Sequence, residues 1–291
     1  MKLVGIVANT QSPLAGEGVR KLDEWLGERG VGRLVESETA SIANIESNGS
    51  RLDIAKKSDL IVVLGGDGTM ISIAGLIEGR ATPLLGINLG SLGFLTEFTY
   101  EQMLPAIERV LSGDFSYEDR IMLDTSIYYD GKREASYTSL NDLVIHRGAL
   151  NHMIDIKVEV GSVFVNSYTA DGLIVATPTG STAYSLSSAG PIVYPSLNSF
   201  IITPISPHTL SNRPIVIPDN IVIEISVSSR DKGEALATLD GHVNFGIGSR
   251  HNLKIEKSKE VTRIIQSPFK DYYELLRSKL KWGETIRDTN R

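Results

Sequence analysis

Gly65-Gly66-Asp67-Gly68-Thr69 sets one carboxylate and one hydroxyl among three glycines, between the apolar run Leu60–Leu64 and the apolar-periodic residues Ile71, Ile73, Ala74 and Ile77. A carboxylate at such a corner can take a proton from a hydroxylated ligand, and glycine lets that ligand reach the backbone with no Cβ in the way. The helix start that follows points free N–H groups outward, which suits phosphate. Taken alone, Asp67 also reads as the N-cap of that helix, the commoner reason for an acid at a helix start. Glycine on both sides favours the chemical reading, because a cap needs no such clearance.

A second stretch begins at Asp171 and runs through Leu173–Ala176 into Thr177-Pro178-Thr179-Gly180-Ser181-Thr182-Ala183-Tyr184-Ser185. Capping by Ser181 or Thr182 accounts for one or two hydroxyls, not for those of Thr177, Thr179, Ser181 and Thr182 together. Such a density of donors beside glycine suits phosphate or ribose, and Tyr184 offers a face for a base to stack on. Asn141-Asp142, ahead of Leu143-Val144-Ile145, supplies the donors and acceptors that hold vicinal ribose hydroxyls; the same pair before a strand is also an ordinary turn. His208 lies in a stretch dense in proline and polar groups, has no Ser or Cys at nucleophile spacing, and reads as part of a structural loop. His146, His152 and His251 are isolated and read the same way, whereas His242, after Asp240-Gly241, stands where it can line a cleft. Asp-Gly pairs at Asp67, Asp130, Asp171 and Asp240 signify by themselves only turns.

The elements that must position these residues begin in a βα rhythm. Leu3–Ala8 predicts a buried strand; Val19, Leu22, Trp25 and Leu26 predict a helix closed by Gly30; Arg33–Glu36 predicts a short second strand. Ser37–Gly49 is polar and reads as a loop. Gly16 and Gly18 lack the third glycine of a dinucleotide fingerprint. Leu60–Leu64 fits a strand buried on both faces, as in a parallel sheet, and Pro83–Ile87 fits another, running into the glycine-rich Asn88–Leu95. Both glycine loops thus leave the carboxyl ends of parallel strands, where open α/β sheets bind ligands. A helix over 101–112 ends at Gly113. From about residue 116 strands and turns take over, with hairpin turns at Asp130-Gly131 and Gly161-Ser162 and strands at Gly172–Ala176, Phe200–Ile205, Ile221–Val227, Leu253–Glu256 and Thr262–Gln266. One helix is predicted around Ala183–Ala189, and Tyr272, Leu275, Leu276 and Leu280 mark an amphipathic tail helix that packs back on the first domain. The predicted class is an α/β N-terminal domain with a parallel sheet, over 1–115, and a β-rich, β-sandwich-like C-terminal domain over 116–267, with the tail helix over 268–291.

Composition excludes several functions. A net charge of -6 argues against a nucleic-acid binder, and the mild basic cluster of Arg277, Lys279, Lys281, Arg287 and Arg291 reads as a solvated helix face. With no cysteine, disulfides, thiolate zinc sites and cysteine nucleophiles are ruled out. Carboxylates, water and substrate phosphates remain able to hold magnesium. The N-terminal apolar run is too brief for a signal peptide and no run reaches the length of a membrane span, so a cytoplasmic protein is expected. The P-loop, GxSxG and kinase HRD and DFG signatures are missing, so a nucleoside phosphate would rest on glycine-loop N–H groups and magnesium rather than a Walker lysine.

Four motifs in order, GGDGT at 65–69, Asn141-Asp142, ATPTGSTAYSLSSAGPIV at 176–193 and PISPHTLSNRPIVI at 204–217, together with the tail Tyr272-Tyr273-Glu274-Leu275-Leu276, make the chain resemble the bacterial NAD kinases over essentially its whole length. GGDGT alone is shared with diacylglycerol-kinase-like and phosphofructokinase-like proteins; the other motifs are more specific. The resemblance implies transfer of a phosphoryl group from ATP, or from another donor such as polyphosphate, to the 2′-hydroxyl of the adenosine ribose of NAD, giving NADP. It implies that Asp67 is the general base, and that Gly66, Gly68, Thr69 and Phe94 lie along the bound dinucleotide. Asn141 and Asp142 would hold ribose hydroxyls, while Asp171, Thr182, Ala183, Tyr184 and Ser187 would contact the base and nicotinamide ends. His242 joins this set as a cleft residue. The family pattern is Asn-Glu where this chain has Asn141-Asp142, and Ser-Ala-Gly-Gly where it has Ser188-Ala189-Gly190-Pro191. A divalent metal, magnesium as a rule, and a homodimer or homotetramer are implied as well. A lipid kinase sharing the GGDGT turn would show a basic or amphipathic membrane face, which this acidic chain lacks, and a non-catalytic dinucleotide sensor would need no carboxylate at position 67.

Overall fold

Alternation of short apolar runs with amphipathic segments dictates the first unit of the structure. The chain is described from a computed structural model, over residues 1–77, 79–149, 152–209, 211–228, 234–269 and 271–282. It divides into two compact units, Met1–Glu118 with the chain from Arg263 onward, and Asp119–Thr262. In the first unit the order is β1 (Leu3–Ala8), α1 (Ala15–Glu28), β2 (Gly32–Val35), α2 (Ser37–Ala43), α3 (Arg51–Lys57), β3 (Leu60–Leu64), α4 (Asp67–Ala74), β4 (Leu84–Asn88), β5 (Phe98–Thr99) and α5 (Met103–Ser112). All five strands are parallel, in the order β2-β1-β3-β4-β5. Val4, Ile6, Leu60, Val62, Leu64, Leu85 and Ile87 pack on one face against Val19, Leu22 and Leu26 of α1 and Met103, Ile107 and Val110 of α5. α3 lies against β1 and α4 against β3. Residues 60–64 are therefore fully buried, as the unbroken apolar run predicted. Gly113 closes α5 with φ +85°.

One prediction fails here, and one helix was not predicted, for the same identifiable reason. The polar stretch 37–49 contains α2, whose Thr39, Ala40 and Ala43 are buried, and α3 follows it. Both helices have seven residues, too few to show a hydrophobic period, and are held by packing and capping instead. α3 starts with a capping box in which the Ser50 hydroxyl accepts from Asp53 N at 3.1 Å and the Asp53 carboxylate accepts from Ser50 N at 3.0 Å. Ser50→Ala is expected to lower stability by about 1 kcal/mol, read as a fall in Tm of about 2–4 °C on thermal unfolding.

The second unit runs β6 (Tyr117–Tyr129), β7 (Lys132–Ser139), β8 (Asp142–His146), β9 (Ile154–Val160), β10 (Val163–Ala170), β11 (Gly172–Ala176), α6 (Tyr184–Ser187), β12 (Ser199–Ile205), β13 (Ile215–Pro218), β14 (Ile223–Ser228), β15 (Ala235–Leu239), β16 (Val243–Ile247) and β17 (His251–Ile265). The two separate strands predicted at 253–256 and 262–266 are one, β17, whose last residues belong to the first unit and pair Ile264 with Leu84. β13-β12-β11-β8-β15-β16 form an antiparallel sheet. β10, β9, β14 and β17 form a second antiparallel ladder. Leu143, Ile145, Leu173, Val175, Phe200 and Ile202 of the first sheet share one core with Ile156, Val158, Ile225 and Leu253 of the other, a sandwich-like arrangement. The opposite face of β8, β11 and β12 is buried too, under Val193, so these antiparallel strands read as unbroken apolar runs. Asp130 and Gly131, with φ of +49° and +79°, and Gly161 and Ser162, with +59° and +64°, form the predicted hairpin turns.

The helix predicted at 183–189 is shorter: a 3-10 turn over Gly180–Thr182 leads into α6, and Ala189 with φ +62° lies just beyond it. The tail helix is α7 (Tyr272–Leu280), which starts on the Asp271 side chain and buries Leu275 and Leu276. The rest of the predicted 268–291 span, with Arg287 and Arg291, lies in part outside the described residues. Among the described residues no helix is long and apolar enough to cross a membrane.

Candidate active site

Asp67 is not a cap. The N-cap of α4 is Gly66, and no side chain caps that helix. The Asp67 carboxylate reaches across to the second glycine loop, where Oδ2 accepts from Phe94 N at 2.8 Å and Oδ1 from Leu95 N at 2.9 Å, with the Thr96 hydroxyl donating to Oδ1 at 3.4 Å. A carboxylate offers about four lone-pair sites. Oδ2 therefore keeps one free for a ligand hydroxyl, whereas Oδ1 is fully used.

The loop that grips Asp67 is built from its own residues. Buried Asn88, at the end of β4, donates from Nδ2 to Ser91 O at 2.6 Å and to Thr96 Oγ1 at 3.1 Å, and its Oδ1 accepts from Gly90 N at 2.7 Å. Sequence reasoning passed over this residue, whose signal was an Asn at the end of an apolar strand, two positions before Gly90. Gly93 must lack a Cβ, since one would overlap the Asp67 carboxylate and the Thr96 hydroxyl. The glycines beside Asp67 serve a different end. Gly65, Gly66 and Gly68 all have ordinary negative-φ or extended backbone, and a Cβ at Gly66 or Gly68 would meet nothing within 4 Å. Open space thus lies beside the Asp67 and Gly68 N–H groups that begin α4, which have no intrahelical acceptor. Thr69 keeps close to Gly65, where a Cβ would lie 2.7 Å from its Oγ1. Phe94 is half-buried.

In the second unit the structure gathers Asn141, Asp142, the 177–182 loop and Asp240. Thr177 N donates to Asn141 O at 2.9 Å and Thr177 Oγ1 to Leu140 O at 2.6 Å. Gly180 passes so close that a Cβ would overlap the Asn141 carbonyl. The hydroxyls do not cap α6 as predicted: Ser181 Oγ donates to Pro178 O at 2.6 Å and accepts from Val193 N at 3.1 Å, and Thr182 Oγ1 donates to Thr179 O at 3.2 Å. Thr177 Oγ1 accepts from Gly180 N at 3.1 Å. Three of the four hydroxyls therefore hold the loop together. The Thr179 hydroxyl is buried and without a partner among the described residues. Ala183 is half-buried, while Tyr184 and Ser187 are exposed. Asp171 is held by Arg147 Nε at 2.9 Å. His242 is exposed, and its N–H closes the β15–β16 turn on Leu239 O at 3.0 Å.

Asp240, read from sequence only as a turn residue, does more. With φ +48° beside Gly241 at +70°, it makes the hairpin turn between β15 and β16. Its carboxylate accepts three consecutive N–H groups, Leu140 at 2.8 Å, Asn141 at 2.7 Å and Asp142 at 3.1 Å. Burial, reinforced by the neighbouring Asp240 charge, pushes the Asp142 carboxyl up to about 7. Among the described residues no three His, Cys, Asp or Glu side chains gather into a metal cage.

The ATP-NAD kinase N-terminal domain family matches residues 4–115, and the ATP-NAD kinase C-terminal domain family matches residues 140–267. A protein named NAD kinase from Geotalea daltonii is 46% identical over 284 residues, covering 98% of this chain and 100% of its own length. One from Geobacter sulfurreducens is 44% identical over the same shares. Among solved structures, yeast NADH kinase complexed with NADH is similar with a TM-score of 0.87 and 25% identity, covering 99% of this chain and 89% of that one. An NAD kinase from Archaeoglobus fulgidus in complex with ATP gives a TM-score of 0.76 and 25% identity, covering 96% and 98%. With both domain families matched in order and relatives alike over nearly the whole length, the chain belongs to the NAD kinase family.

Proposed function

We propose that the protein transfers the terminal phosphoryl group of ATP to the 2′-hydroxyl of the adenosine ribose of NAD, giving NADP and ADP. The observation that carries the reading is the Asp67 carboxylate, fixed by two backbone N–H groups with one Oδ2 lone pair free and open space at Gly66 and Gly68. Asp67 acts as general base: Oδ2 takes the 2′-hydroxyl proton as that oxygen attacks the γ-phosphorus in line, and the bond to the bridging oxygen of ADP breaks. Because the two N–H bonds hold the carboxylate in place, no reorganisation accompanies the attack. The α4 N-terminus with Gly66, Gly68 and Thr69 receives phosphate oxygens, and Phe94 flanks the dinucleotide.

Asn141 and Asp142 hold ribose hydroxyls, and Thr179, Thr182 and Ala183 bind through the hydroxyl-rich loop. Tyr184 stacks with the base, while Asp171, Ser187 and His242 complete the contacts. Likeness to an NADH-bound kinase and an ATP-bound one supports both substrates. A magnesium ion, when bound, neutralises donor charge. With no carboxylate cage among the described residues, the triphosphate and water would supply most of its ligands. On the resemblance to bacterial NAD kinases, we place the protein in the cytoplasm as a homodimer or homotetramer. Purified protein given NAD, ATP and magnesium is expected to form NADP, read with an NADP-specific dehydrogenase; absence of NADP at every donor concentration would overturn the proposal.

A further inference from the structure

Three consecutive backbone N–H groups turned onto one side-chain carboxylate is an anion site supplied from within the chain. Leu140, Asn141 and Asp142 lie far from Asp240 in sequence, so the β15–β16 turn fixes the backbone from which the Asn141 and Asp142 side chains project. Asp142 is in a different position from its neighbour. It is buried at 5% exposure, its own N–H is committed to Asp240, and its carboxyl has no hydrogen-bond partner among the described residues. Among the described residues, the charges that act on the pair are Asp240 on Asp142 and His242 on Asp240, while Ala176 and Thr177 of the adjacent β11 strand and loop do not titrate. Burial raises both carboxyls; at Asp240 the three N–H donors and the nearby His242 oppose it, and nothing comparable does so at Asp142.

We propose that Asp142 and Asp240 are a pair sharing one negative charge, in which Asp240 is the positioning anion that clamps the Leu140–Asp142 turn and Asp142 holds the proton until a ribose displaces it. The inference rests on the reading that Asp142 contacts ribose. When NAD enters, the vicinal hydroxyls donate to both Asp142 oxygens, and the displaced proton passes to water. Below the raised carboxyl range Asp142 is neutral and that proton must leave on binding; above it the carboxylate is already formed. NAD binding therefore tightens as pH rises through about 7 and then levels.

Calorimetric titration of NAD into wild type, Asp142→Asn and Asp240→Asn, from about pH 5.5 to about 8.5, tests this over a span bracketing the raised carboxyl. Wild type is expected to show the transition and to release close to one proton per NAD at the acid end. Asp142→Asn is expected to bind more weakly and to lose the transition. Asp240→Asn is expected to move the transition to lower pH and to weaken the alkaline plateau by about tenfold, the loss of charge-assisted bonds to the turn. An unshifted midpoint in Asp240→Asn overturns the pair alone. Asp142→Asn binding NAD as wild type does at every pH overturns the ribose contact instead. If Asp240→Asn does not fold, proton release decides: none from wild type at the acid end overturns the pair.

Discussion

Replacing Asp67 by asparagine is expected to lower kcat for NADP formation by about 10²- to 10⁴-fold, the range of a general base, while KM for NAD changes little. Asparagine keeps the shape of the side chain but has no basic oxygen at the free Oδ2 position. It also changes the grip on the second glycine loop. One amide oxygen can still accept from Phe94 or Leu95, but the amide NH₂ then faces the other N–H. That mismatch costs about 1–3 kcal/mol and is expected to appear as a modest fall in Tm. The two roles separate cleanly. A fall in Tm with kcat held within about tenfold, below the smallest general-base effect, would leave Asp67 as a clamp and remove it as a base.

Gly93→Ala is expected to be nearly as damaging, although Gly93 donates nothing to a substrate. Its Cβ would occupy the space of the Asp67 carboxylate and the Thr96 hydroxyl, so the carboxylate must move. A displacement of about 1 Å at a reacting group can cost about 100-fold in rate, and overpacking costs about 1–3 kcal/mol in stability. Gly68→Ala supplies the comparison. The added methyl meets no protein atom within 4 Å, so the fold tolerates it and Tm is expected to hold or rise slightly, as for glycine replaced within a helix. A rise in KM for NAD or ATP in that variant would report ligand occupying the open space. Wild-type kinetics in Gly93→Ala would show that the carboxylate has room to shift without consequence.

The frame of the site was legible in the sequence because its signals are local. Leu60–Leu64 and the glycines after it gave a strand, a turn and a helix start, and Gly113, Asp130-Gly131 and Gly161-Ser162 fell where helix and hairpins end. The unread parts depend on partners distant along the chain. No window around Asp240 shows that its carboxylate takes N–H groups 98 to 100 residues away. Nor does one around Asp67 reveal that its partners are Phe94 and Leu95 rather than its own helix. The hydroxyls of 177–182 do not cap the helix after them: three hold the loop, and among the described residues Thr179 is left over, a division that needs coordinates. α2 and α3 were unread because tertiary burial of Thr39, Ala40, Ala43 and Ile54, rather than a visible period, makes them helical.

In the proposed reaction Asp67 accepts the 2′-hydroxyl proton during phosphoryl transfer. A single-turnover rapid-quench measurement isolates that step from substrate binding and product release. With NAD and ATP saturating, wild type is expected to form NADP in one fast phase, and Asp67→Asn to form it at least about 100-fold more slowly with unchanged NAD affinity. Equal single-turnover rates for the two proteins would contradict the account.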